Sequence, residues 1–229
     1  ALIIILLAPY INSLFPEPSV VIDALVKAAL VEKLGTMAVL LFIVRGHGSM
    51  RPLDTVICGV MVGVGFSLVE NVFYAANFGP SIILVRVLFS VPLHLTTSAL
   101  IAYFLGLWNM GESGAYRAMN IARAAVFPLL IHGVFDLLLL RGGRGSYWIG
   151  PLIIFTVGAL ELLIARAKII PSTAELKETG LRLEDWLILF RQPRYERWIL
   201  NSMGTPISSD ARFFRAQKEP EYRMEILDV

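Results

Sequence analysis

Long apolar runs joined by short links rich in Gly and Pro make up the first 165 residues of the chain. After an apolar stretch at 1–15, ALIIILLAPYINSLF, five runs occupy positions 22–44, 55–78, 82–107, 119–140 and 147–165. Runs near 20 residues span roughly 30 Å of hydrocarbon at about 1.5 Å per residue. None alternates with a period of two, and in lipid a spanning element must satisfy its own backbone, so the pattern predicts helices. The fold class expected is all-α: a polytopic transmembrane bundle of about six spans over residues 1–165, the first of them partial. No basic region precedes the first run, which favours a trimmed helix over a secretory signal. The links hold the expected breakers: Pro16 and Pro18, Gly46 with Gly48 and Pro52, Gly79 with Pro80, Gly111 with Gly114, and Gly142 to Gly145.

From Arg166 the pattern changes, and residues 166–229 form a polar, partly helical tail. Ser172 and Glu175 have capping-box spacing, and Gly180 is placed to end the short helix they start. The following LRLEDWLILFRQPRYERWIL sets Trp186 and Trp198 among leucines and arginines. Such a segment suits either the headgroup layer or a small cap packed under the bundle.

Charge sharpens the division. Of 38 charged residues, 17 fall in residues 1–165 and 21 in the remaining 64. The first part has too little polar surface for water, which excludes an ordinary soluble globule. A net charge of +2 without a dense basic patch gives no footprint for nucleic acid. The single Cys58 excludes an intramolecular disulfide framework. Arg45 and Arg51 in the second link, Arg117 and Arg123 in the fourth, and Arg166, Lys168, Lys177 and Arg182 in the tail place those three regions in the cytoplasm, against Arg141 and Arg144 in the fifth link. The chain is expected to be a multi-pass protein of a bacterial-type plasma membrane with its tail cytoplasmic.

Ionisable groups inside spans are costly and usually face a cavity. Here they are Lys27, Glu32, Lys33, Glu70, His94, His132, Asp136 and Glu161. Counted inward from the outer helix ends at about 1.5 Å per residue, Glu32 lies roughly 15 Å deep, Glu70 about 12 Å, His94 about 18 Å and His132 about 12 Å. Four consecutive helices therefore supply one polar layer, and Asp136 shares the face of His132. Singly, each residue fits an interhelical hydrogen bond equally well. Lys27 is expected to snorkel or to pair with Asp23, and Glu161 to be interfacial. Pro92 and Pro128 should kink the two His-bearing helices. Gly59, Gly63 and Gly65 form a small-residue face leading to Glu70.

Two acids and two imidazoles around water suit hydrolysis: a carboxylate takes a proton from water, one imidazole protonates a leaving amine, and the other stabilises an oxyanion. Glu70, His94 and His132 also form a two-His, one-carboxylate set of the kind catalytic zinc uses, with Asp136 as ligand or support. Ser67 and Ser98 lack a nucleophile-elbow turn.

The stretches RPLDTVICGVMVGVGFSLVENVFYA, VPLHLTTSALIAYFLG and IHGVFD resemble the PrsW family of intramembrane proteases, which is related to the CAAX prenyl endopeptidases. The resemblance covers about residues 20–140. It rests on a GFxxxEN signature carrying Glu70 and Asn71, on the segment carrying His94, and on an HxxxD motif carrying His132 and Asp136. It implies cleavage of a peptide bond in or beside the membrane segment of a protein substrate, by a glutamate-based or a metal-dependent mechanism. The family's first motif, EExxK, is altered: the aligned residues read Glu32-Lys33-Leu34-Gly35-Thr36, so the first acid stands while the second acid and the lysine do not.

The leading expectation is an intramembrane endopeptidase with Glu32, Glu70, His94, His132 and Asp136 as catalytic residues, zinc as a possible cofactor, and a transmembrane or juxtamembrane protein substrate in the bilayer. Glu32 or Glu70 would activate water, the histidines would handle the proton and the oxyanion, and Asp136 would orient His132. The alternative is an inactive relative that binds transmembrane helices as a scaffold or chaperone, for which Lys33 and Thr36 speak. A proton-coupled transporter would show inverted repeats, and none is evident.

Overall fold

Residues 10, 13–15, 19–47 and 50–190 are described in the computed structural model, and every regular element among them is helical. The first helix, α1, runs as Val20–Ile22, a π-helical stretch Asp23–Leu30, and Val31–Gly46. Ser19 caps its start by accepting the Ile22 N–H, and Lys27 pairs with Asp23 at 2.7 Å as its i,i+4 spacing predicts. Then come α2 Pro52–Phe78, α3 Ile82–Met110, α4 Gly114–Arg141, a 3-10 segment Gly143–Trp148, α5 Ile149–Lys168, α6 Thr173–Thr179 and α7 Leu183–Phe190. Two long helices start earlier than their apolar runs. Pro52, read as a breaker, is the first residue of α2, where its missing N–H costs nothing, and Ser113 accepts the Tyr116 N–H to begin α4.

Helices α2, α3 and α4 and the segment Gly143–Lys168 are long and apolar enough to cross a membrane. Large apolar side chains point outward from them, among them Leu84 at 69% and Ile154 at 76% exposure, a surface suited to lipid. Four of the six expected spans thus qualify by length and composition among the described residues. The 22–44 run is helical as expected, but four charged residues in its first half, Asp23, Lys27, Glu32 and Lys33, keep α1 out of that set. Most of the 1–15 stretch lies outside the described residues.

Helix α3 is the axis of the bundle and contacts α1, α2, α4 and α5. Small and hydroxylated residues make this close approach possible. A Cβ on Gly59 would stand 2.6 Å from the Ser98 carbonyl oxygen and from Ala102 Cβ, and one on Gly63 would stand 2.7 Å from the His94 carbonyl oxygen. Gly65 faces open space and does not belong to this seam. Both α3 and α4 continue through Pro92 and Pro128 without a break in the helix.

At one end of the bundle, the guanidinium groups of Arg45 and Arg117 lie over Trp108 at 5.2 and 5.0 Å. Glu184 of α7 accepts the backbone N–H groups of Glu112 and Ser113 there, at 3.1 and 3.0 Å. The second link, the fourth link and the start of the tail therefore share one end. The capping box at Ser172 and Glu175 is formed, and Gly180 ends α6 in the left-handed region at φ 68°. Trp186 is buried with Leu176 and Leu183 against Tyr103, Leu107 and Leu163, so it packs as a cap and does not lie on the headgroups. Beside it, Arg182 forks onto Asp185 at 2.9 and 3.1 Å, and this hydrogen bonding holds the Asp185 carboxyl below its ordinary value. Trp198 lies outside the described residues.

Candidate active site

The polar layer sits in the half of the bundle away from that cap. α1 brings Glu32 and Lys33 to it just after its π-helical stretch, a feature that frequently accompanies functional sites. The antiparallel α2/α3 pair, closed by Gly79 and Pro80, brings Glu70 beside His94, and α4 adds His132 and Asp136.

Glu70 Oε2 lies 2.8 Å from His94 Nε2, and Glu32 Oε2 lies 3.1 Å from His132 Nε2. The same His132 nitrogen is 3.4 Å from Asp136 Oδ2, one turn along α4. The imidazole centroids of His94 and His132 are 4.9 Å apart, edge to face. The four residues expected at one depth are thus linked in one cluster, and both histidines are almost fully buried. The serines do not join them. Ser67 donates its hydroxyl to the Val64 carbonyl, and Ser98 Oγ has no hydrogen-bond partner among the described residues.

Three contributors were not read from the sequence. Arg86 lies one turn inside α3 and is buried. Its Nη2 pairs with Glu70 Oε2 at 2.7 Å and donates to Ser90 Oγ at 3.0 Å, while Nε donates to Asn71 Oδ1 at 2.7 Å. The Tyr74 ring stacks on its guanidinium at 3.8 Å. Phe66 stacks on His94 at 4.9 Å. Thr97 accepts from Lys33 Nζ at 3.1 Å. A lone arginine five positions into an apolar run, opposite an Asn-bearing glutamate motif across a Gly-Pro turn, was the available signal for the first of these.

The donor set nearest ligand spacing is Glu32, His94 and His132, whose ligand atoms lie within 4.8 Å of one another. In this set Glu32 stands beside the two histidines, while Glu70 is engaged by Arg86 and His94. Two imidazoles and a carboxylate match the donors of catalytic zinc. Formal charge agrees: three carboxylates, Glu32, Glu70 and Asp136, face two cations, Lys33 and Arg86, so the buried cluster accommodates further positive charge. His132 Nδ1 is also buried without a hydrogen-bond partner among the described residues. By identity, spacing and charge, these residues fit a divalent cation.

A profile of the PrsW family intramembrane metalloproteases matches residues 1–162. The chain belongs to the PrsW family. It is 26% identical to Protease PrsW of Oceanobacillus iheyensis over 130 residues, which are 56% of this chain and 60% of the relative. To Protease PrsW of Geobacillus kaustophilus it is 28% identical over 129 residues, 56% of each chain. A third relative of that name, from Halalkalibacterium halodurans, is 31% identical over 90 residues, 39% of this chain and 41% of the relative. The chain spans somewhat over half the length of the first two. No solved structure matches it significantly. Family membership and the apolar helices make this an integral membrane protein of a protease family, and the family's metalloprotease description agrees with the Glu32, His94 and His132 donor set.

Proposed function

We propose that this PrsW-family chain is an intramembrane endopeptidase that hydrolyses a peptide bond within or next to the membrane segment of a protein substrate. The observation that carries the reading is the convergence of Glu32, Glu70, His94, His132 and Asp136 from four helices onto one buried pocket. Glu32 is the acid free to accept a proton from water, because Glu70 is held by Arg86 and His94. His132, between Glu32 and Asp136, passes that proton to the leaving amine, and Asp136 fixes the ring. His94, held between Glu70 and Lys33, packs edge to face on His132 and keeps that ring in line. With Lys33 displaced from His94, Glu32, His94 and His132 would hold a zinc ion, which when bound would supply Lewis-acid activation of water and carbonyl. The Arg and Lys bias of the links and tail supports an orientation with the capped end and tail in the cytoplasm, and the bacterial source of the similar relatives supports a bacterial-type plasma membrane.

The test is cleavage of a transmembrane peptide reporter by the purified full chain in detergent, with its metal content measured in parallel. Glu32→Gln should lower turnover by about 10²–10⁴-fold, the usual share of a general base. Cleavage equal to that of the parent would remove Glu32 from the mechanism. A second reading, a relative that binds transmembrane helices without turnover, draws on the contact of Lys33 with His94. It predicts reporter binding that survives Glu32→Gln, with no cleavage by either form.

A further inference from the structure

The proton on His94 is assigned by what its two ring nitrogens face. Nδ1 lies 3.5 Å from Lys33 Nζ, and Nε2 lies 2.8 Å from Glu70 Oε2. A lysine ammonium has three donors and no lone pair, and an ionised carboxylate only accepts. Thr97 repeats the pattern. Its hydroxyl donates to the Leu93 carbonyl at 2.8 Å, so its oxygen receives Lys33 Nζ at 3.1 Å. Nδ1 therefore accepts from Lys33, and the N–H of the neutral ring sits on Nε2, aimed at Glu70. Both contacts demand the same tautomer.

Ligation demands something else. A metal needs a free lone pair on the nitrogen it binds, and the other ring N–H ordinarily donates to a carboxylate, a carbonyl or water. In His94 one nitrogen spends its lone pair on an ammonium and the other carries the proton, so neither is free while Lys33 holds its place. We infer that Lys33 is a positioning residue that holds His94 in the Nε2–H form and sets this site against binding a divalent cation. Charge acts in the same direction. With Lys33 replaced by a neutral side chain, the three carboxylates face Arg86 alone, and the surplus of two negative charges is what one divalent cation balances. A carboxylate at position 33 would go further, raising that surplus to three negative charges.

This inference rests on the pocket proposed above for hydrolysis, but its test needs no substrate. Zinc is titrated into the purified full chain in competition with a chelator, for the parent, Lys33→Met, Lys33→Glu and Lys33→Met with His94→Ala. Removing or reversing this support should tighten zinc binding by about 10-fold for Lys33→Met and about 100-fold for Lys33→Glu, the range over which partners of ligating histidines act. The added His94→Ala should abolish the gain. Nitrogen-15 spectra of labelled histidine should show His94 unprotonated at Nδ1 in the parent. Equal zinc affinity in the parent and Lys33→Met, or a proton on Nδ1 of His94 in the parent, would overturn the inference. Lys33→Met matches the lysine in length, so it decides the matter if Lys33→Glu fails to fold. Absence of peptide cleavage beside the expected zinc and tautomer pattern would count against the hydrolytic reading alone.

Discussion

Gly63→Ala isolates the role of the α2/α3 seam in setting the distance between Glu70 and His94. The added Cβ would lie 2.7 Å from the His94 carbonyl oxygen and 2.9 Å from Leu95 Cα, both backbone atoms that cannot swing aside. Restoring ordinary contact at 3.4 Å requires α2 to move away from α3 by about 0.7 Å. Overpacking of this kind costs about 1–3 kcal/mol. Glu70 lies two turns beyond Gly63 on the same face of α2, so the shift reaches its contact with His94 nearly undiminished. Misplacement near 1 Å costs roughly 10²-fold in rate, so turnover of a transmembrane reporter should fall by about 10–10²-fold. Gly65→Ala is the matched control, since its Cβ meets nothing within 4 Å, and an alanine inside a helix is if anything stabilising. Thermal unfolding in detergent and reporter turnover would be measured on both variants. If Gly63→Ala is as stable and as active as Gly65→Ala, the seam does not set the site geometry.

Arg86→Met strips Glu70 of its cation and leaves a buried carboxylate, at about 3–5 kcal/mol by thermal unfolding, and adding Glu70→Gln should recover part of that loss. Asp136→Asn should lower kcat by about 10–10²-fold with KM little changed, because Asp136 touches His132 and acts through it; a loss confined to KM would contradict this. Glu184→Ala should cost about 1 kcal/mol through the unmet N–H groups of Glu112 and Ser113, with turnover per folded molecule unchanged.

What the sequence made legible follows from which forces act along a single helix. Run length and link composition marked the long helices, and depth counting brought Glu32, Glu70, His94 and His132 to one layer because the rise per residue is fixed. The capping box and the Asp23–Lys27 pair are local, and both are formed. Partner choice across helices was not legible, because it depends on rotation about each axis. Lys33, next to Glu32 in sequence, turns to His94 and Thr97, while Arg86 takes Glu70. The π-helical stretch Asp23–Leu30, which changes that rotation for every residue after it, has no marker in DALVKAAL. Trp186 suited two surroundings by composition alone, and tertiary packing chose between them.

The contact between Glu184 and the start of α4 also orders events during synthesis. The N–H groups of Glu112 and Ser113 leave the ribosome 72 and 71 residues ahead of the carboxylate that receives them. At about 5–20 residues per second, that is a delay of roughly 4–14 s, during which α4 and α5 are synthesised. The bundle thus closes this end last, and a nascent chain halted before α7 would hold all five residues of the pocket while lacking the clasp that joins its fourth link to its tail.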